Sequence, residues 1–231
     1  MDRILRTDSP RGIGMDTPVA WERMVTQILG RLRPRFQRSA AHAHAVEYVR
    51  GLMGDAERKN SWQLAEHAGH IHPRWMQRVL ARYRWDADAV QSDVRAVVAE
   101  TLSHANGVLI LDESSFLKKG NHSCGVKRQY AGSGGKIANC QVGVLLGSTS
   151  PRGRALMDRA LYVPHEWFDA TTRRARTEMP ADVTFQTKPR IARTLVIRAL
   201  DAGIRIASSK KRPKECDCLT EDDTQRSADA E

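Results

Sequence analysis

The chain has 231 residues, enough for one large domain or two small ones, and a hydrophobic fraction of 41%, enough for a folded core, which excludes wholesale disorder. No run of eighteen apolar residues occurs, and the N-terminal MDRILRTDSP lacks an apolar signal core, so the expected protein is cytoplasmic with no membrane partner. Its formal net charge of +10 favours a polyanionic partner, because each phosphate neutralised by Lys or Arg releases condensed counterions.

In chain order, residues 1–16 are polar and punctuated by Gly and Pro, which predicts a flexible leader. A helix then starts with Thr17 as cap and Pro18 in the first turn; Trp21, Met24, Val25, Ile28, Leu29 and Leu32 hold helical spacing, and Pro34 ends it. A second helix is predicted over 39–53, with Ala45, Val46, Val49 and Leu52 inward and Gly54 after it. In WQLAEHAGHIHPRWMQRVLARYRW, residues 62–85, one short helix closes at Gly69 and another begins near Pro73. Ala65 and Gly69 are spaced as in a helix-turn-helix, where a small residue lets the helices cross and the glycine makes the turn. Arg74, Arg78 and Arg82 fall on one face of the second helix, and residues 30–85 carry eleven Lys or Arg against four Asp or Glu. An ordinary helical hairpin with a solvated arginine face would look the same, so phosphate contact is the firmer expectation than base reading. Asp86 caps a further helix with Val90, Val94, Val97, Val98 and Leu102 in a stripe. The region 17–105 thus reads as helical and DNA-binding.

After Asn106-Gly107 the period becomes extended. VLILD, CQVGVLLGSTS (140–150) and ALMDRALYVP (155–164) are three predicted strands, the last two joined as a hairpin at Pro151-Arg152-Gly153. KPRIARTLVIRALDAG then forms a helix with Ile191, Leu195 and Val196 inward and Gly203 as its stop. The fold class expected is α+β. From 205 to 231 the only sizeable aliphatic residues are Ile206 and Leu219, which predicts a disordered polar tail.

Asp112 and Glu113 follow directly on the apolar VLIL. One reading has them close a turn and pair with Lys118 or Lys119. The other has a carboxylate at the C-terminal end of a buried strand ligate Mg²⁺, since hard divalent cations take oxygen ligands and a metal pair can activate water for phosphodiester cleavage. Lys118, Lys119, Lys127 and Arg128 would then hold the phosphates of the scissile strand.

The block VLILDESSFLKKGNHSCGVKRQYAGSGGKIANCQVGVLLGSTSPRGRALMDRALYVPHEW resembles the DDE-type insertion-sequence transposases of the branch numbered seven-zero-one. It has their acid-acid-hydroxyl-x-F-x-K-K-G run, their G-V-x-R-Q-Y-x-G segment, their N-C-Q-V-G-V strand and their S-P-R-G-x-A-L hairpin. ERKNSWQLAEHAG and RWDADAV resemble the helical region before that domain, so the likeness covers about 20–204. It implies a ribonuclease-H-like catalytic domain over 106–204, Mg²⁺ as cofactor, and Asp112 as the first of three metal-binding acids, ahead of Glu113 as a catalytic residue. The partners it implies are the terminal-repeat DNA of the element, with intact transposase or further copies of the chain.

The chain departs from the family's pattern after Gly203, where no apolar strand bearing a second acid follows. Glu215, Asp217 and Glu221 lie in the polar tail with nothing to hold them beside Asp112. A truncated, catalytically incomplete transposase that still binds DNA is therefore expected, with a non-enzymatic competitor or regulator of transposition as the alternative. GSGG (132–135) lacks the Lys-Ser/Thr of a phosphate loop and reads as a turn. Cys216-x-Cys218 and the group His67, His70 and His72 match no four-ligand zinc spacing, and the four cysteines are expected to be reduced thiols.

Overall fold

A computed structural model describes residues 18–169, 171–177 and 179–207, the side chains of 171–173 excepted. Thr17, the leader and the cysteines and acids of the tail lie outside the described residues. Two compact units divide the chain between Val97 and Val98.

The first unit is helical. Helix α1 (Pro18–Arg31) buries Val25 and Leu29. A 3₁₀ turn at Arg33–Arg35, set by Pro34, leads to the buried Phe36, whose ring stacks on Trp85 with centroids 5.9 Å apart. Helix α2 (Ser39–Met53), α3 (Ser61–His67) and α4 (Arg74–Ala81) pack on one another around Leu64, Ala65 and Met76, with Tyr48 against them. Asn60 caps α3: its side-chain oxygen accepts the N–H groups of Trp62 and Gln63, both at 3.0 Å. Such a cap contributes about 1 kcal/mol.

The inward face of α2 differs from the expected one. Ala41 and Gly51 are buried, whereas Leu52 is exposed. The cause is close approach: a Cβ at Gly51 would lie 3.0 Å from Leu64 Cδ2, so α2 turns its glycine toward α3 and carries Leu52, one residue on, out of the contact.

Helix α5 (Ala87–Thr101) is capped as expected, Asp86 Oδ1 accepting from the Ala89 N–H at 2.9 Å. Arg35 closes the unit by donating two hydrogen bonds to Asp93, at 2.7 and 2.8 Å. These bonds hold the Asp93 carboxyl below the usual carboxylate range. A depressed folded-state pKa contributes stability that is present above the unfolded value of about 3.9 and is lost as pH falls through the folded one. Acid unfolding of Asp93→Asn should therefore lose part of the wild-type dependence below about pH 4; superimposable acid curves would remove this pair as a contributor.

The second unit is built on one long strand. The described strands are β1 (Val108–Leu117), β2 (Lys127–Ala131), β3 (Lys136–Ser150) and β4 (Gly153–Tyr162), all antiparallel to β3 where they pair with it. β1 runs along one edge of β3, while β2 and β4 take successive stretches of the other edge. Among the described residues, no strand pairs with the outer edge of β1. Met157 is an extra residue in β4, forming a bulge between the pairs Leu146–Asp158 and Gly147–Leu156.

Alternation along β3 gives the sheet two unlike faces. Val144, Leu146 and, from β4, Met157 are buried against Ile191, Leu195 and Ala199 of helix α8 (Lys188–Asp201). Thr187 caps α8, and Gly203 follows it at φ 84°. Short helices α6 (Glu166–Asp169) and α7 (Thr171–Arg176) precede it. Trp167 of α6 is fully buried and donates Nε1–H to the Val126 carbonyl at 3.0 Å.

The architecture is the α+β class expected, with β2 as an addition to the three predicted strands. Its sequence, KRQYA, is polar, and Arg128 and Tyr130 are exposed, so it carries no apolar run to announce it.

Candidate functional site

Asp112 is not at the end of a buried strand. It is the fifth of ten residues in β1, and it is exposed. The ladder to β3 continues through Ser114, Ser115, Phe116 and Leu117, so the carboxylates sit in mid-strand, and β1 lies at the border of the sheet rather than in its interior.

Register places Asp112 opposite Leu145, and Leu145 opposite Arg159. These three form one row on the face away from α8. Ile110, Ser114 and Phe116 share that face, as do Gly143 and Leu161, and a Cβ at Gly143 would touch the Phe116 ring at 3.4 Å. Asp112 Oδ1 accepts the N–H of Glu113 at 2.8 Å.

Glu113 turns to the opposite face, where Lys188 at the start of α8 donates to it at 2.5 Å and also lies 5.3 Å from the centre of the Tyr162 ring. This is the pairing that the sequence reading assigned to Lys118 or Lys119. The actual partner is 75 residues away and comes from another element, so no local spacing could have indicated it. Lys118 is six residues beyond Asp112, about 20 Å along an extended strand, too far for an ion pair. It is on the same face as Asp112 and continues the ladder, its N–H donating to Asn139 at 2.8 Å, while Arg128 stands opposite Asn139 on the other side. Lys118 and Arg128 thus flank one end of the sheet face on which Asp112 stands. Lys127 faces the other way and pairs with Glu166. Lys119 is exposed in the loop beyond β1.

A divalent-metal pair requires several oxygen ligands converging within a few ångströms. Among the described residues, no group of three or more His, Cys, Asp or Glu side chains could hold a metal ion. Asp112 offers one carboxylate on its face and Glu113 is committed to Lys188, so this donor set falls short of a metal pair. His70, from the histidine group of the sequence, instead contacts Glu47 at 2.7 Å.

In the helical unit, Arg74, Gln77, Arg78, Ala81 and Arg82 lie along the outer face of α4 and, with Tyr83, line a shallow depression of about 590 Å³. Met76 and Val79 take the inner face. Among the described residues, no carboxylate pairs with Arg74, Arg78 or Arg82. Arg78 lies over the Trp75 ring, its guanidinium carbon 5.1 Å from the ring centre. No helix among the described residues is long and apolar enough to cross a membrane.

The family described as DDE superfamily endonuclease matches residues 31–207, from within the helical unit through the whole described sheet unit. The chain belongs to that family. It is also 28% identical over 167 residues to the probable transposase for insertion sequence element IS701 of Microchaete diplosiphon, a match covering 70% of this chain and 40% of that protein. The chain thus spans well under half the length of this curated relative. No solved structure matches.

Proposed function

We propose that this chain is a DNA-binding portion of a DDE-type insertion-sequence transposase, with 17–105 as its DNA-binding region and 106–204 as part of a ribonuclease-H-like catalytic domain. The observation that carries the reading is the face of α4, where three guanidinium groups stand together without carboxylate partners among the described residues. Arginine neutralises phosphate with a planar donor fork, and unpaired guanidinium groups need not first give up an internal partner. Lys118 and Arg128 would extend the phosphate track beside Asp112, with Lys119 and Lys127 at its margins. A gel-shift titration on terminal-repeat DNA across a range of salt concentrations tests this. Affinity should fall steeply with salt, and Arg74→Ala/Arg78→Ala/Arg82→Ala should flatten the log–log slope by about 2–3. No binding at low salt, or binding indifferent to salt, would sink it.

In this reading Asp112 is one ligand of a Mg²⁺-dependent centre whose other carboxylates come from polypeptide beyond the described residues or from another subunit. Alone, the purified chain should show no Mg²⁺- or Mn²⁺-dependent nicking of DNA. Asp112→Asn should leave DNA binding unchanged and shift stability by no more than about 0.5 kcal/mol, since the side chain is exposed and the amide oxygen can still accept the Glu113 N–H. Nicking that disappears in Asp112→Asn would show the centre to be complete. The solitary position of Asp112 also favours a second reading, in which the chain is a non-enzymatic competitor of intact transposase for element ends. Co-expression with the intact enzyme should then lower transposition, and an unchanged frequency at matched expression would dismiss that reading.

A further inference from the structure

We infer that α4 reads base edges in the DNA major groove, with Gln77 and Arg78 as its specificity-determining residues; this rests on the DNA-binding reading above and goes beyond phosphate contact.

The first ground is architectural. α3 and α4 are joined by a turn with Gly69 at φ 79°, they cross at the buried Ala65, and α2 packs across both. The core of Leu64, Ala65 and Met76 thus lies on the inner side of α4 and leaves its outer side free. A helix with its side chains is about 10–12 Å across, which the roughly 12 Å wide major groove admits. No Asp or Glu occurs in α4 to repel phosphate.

The second ground is the chemistry of that outer side. Residues 74, 77, 78 and 81 follow the i, i+3, i+4, i+7 spacing of a single helical stripe. Arg and Gln are the side chains that make two-point contacts with guanine O6/N7 and adenine N6/N7 respectively, and alanine lets the backbone come close and can meet a thymine methyl. Gln77 stands between Arg74 and Arg78 and Ala81 ends the helix, so the stripe combines base-edge chemistry with phosphate donors.

The third ground is preorganisation. Arg78 lies over Trp75, Trp75 stacks on His44 at 4.8 Å and 9°, and His44 stacks on Tyr83 at 5.8 Å and 8°. His44 Nδ1 and the Tyr83 hydroxyl are 2.8 Å apart, a hydrogen bond that locks the column to α2 and to the segment after α4. A guanidinium held in this way loses less side-chain freedom on binding than a free one. A bidentate contact also needs the fork held in place, which the contact with the Trp75 ring favours.

The test is selection by the full chain from a pool of DNA duplexes with a randomised core, at one fixed salt concentration, repeated with Gln77→Ala, Arg78→Lys and Arg82→Ala. Thermal melts confirm that each variant is folded. The wild type should enrich a short run of adjacent base pairs. Gln77→Ala should erase the preference at one position by about tenfold, and Arg78→Lys, which retains the charge but not the fork, should do the same at a neighbouring position. Arg82→Ala should weaken binding to all sequences alike. Binding without enrichment would overturn the base-reading proposal and leave DNA binding standing. Enrichment untouched by both Gln77→Ala and Arg78→Lys would also overturn it, and no binding to any duplex at low salt would overturn both readings.

Discussion

Leu195→Ala should destabilise the sheet unit by about 2–5 kcal/mol, a large share of what a domain of this size possesses. Leu195 is fully buried on α8, in the cluster that includes Val144 and Leu146 of β3 and Met157 of β4, and its loss leaves a cavity where helix and sheet meet. The helix also carries Lys188, the partner of Glu113, so loosening α8 should free that carboxylate as well. Denaturant unfolding should show a lower midpoint with little change in slope. The exposed Arg193, two residues earlier on the same helix, is the control, and Arg193→Ala should shift stability by no more than about 0.5 kcal/mol. Equal effects at 193 and 195 would contradict the packing described.

Trp167→Ala should cost a similar amount, about 3–5 kcal/mol, through a different balance of terms. The indole fills the small core with Val126 and Val163 and donates its N–H to the Val126 carbonyl. Trp167→Phe separates the two contributions, because it keeps most of the apolar bulk and removes the donor. It should cost about 1–3 kcal/mol, the penalty for leaving a buried acceptor unsatisfied. If Phe proved as damaging as Ala, the hydrogen bond rather than the packing would dominate this core. If Phe were neutral, the hydrogen bond would contribute nothing net.

The helices were legible because their signals are local. Asp86 at a cap, Gly69 and Gly203 at turns and the spacing of Ile191 and Leu195 all act within a few residues of themselves. Strand β3 was readable over its apolar part, but its first residues, Lys136, Ile137, Ala138 and Asn139, are exposed or half-buried and pair with the polar β2, so neither side of that hairpin shows apolar alternation. The apolar VLIL of β1 gave a misleading impression of burial. Val108, Ile110 and Leu111 are largely exposed, since among the described residues β1 has one edge unpaired and one face uncovered, which keeps its hydrophobic residues in contact with solvent. Glu113 was visible as an acid, but its pairing with Lys188 depends on how α8 crosses the sheet, which no local pattern encodes. The arginine stripe of α4 was legible from its four-residue spacing, whereas the ring column behind Arg78 draws His44 from α2 and could be seen only once the helices had packed.

The edge of β1 left unpaired among the described residues bears on the chain's behaviour in concentrated solution. An uncovered row of backbone donors and acceptors is a template on which another copy's strand can add, and such edges seed aggregation unless something opposes them. In a strand running from Val108 to Leu117, a symmetric antiparallel pairing of two copies about its middle sets Asp112 opposite Asp112 or Glu113 opposite Glu113, according to the register. Like charges facing across a ladder repel, so the two carboxylates act as gatekeepers of the edge regardless of any part in phosphodiester chemistry. One prominent acid in mid-strand thereby serves colloidal stability even in a chain that never cuts DNA, and neutralising both acids would trade solubility for self-association.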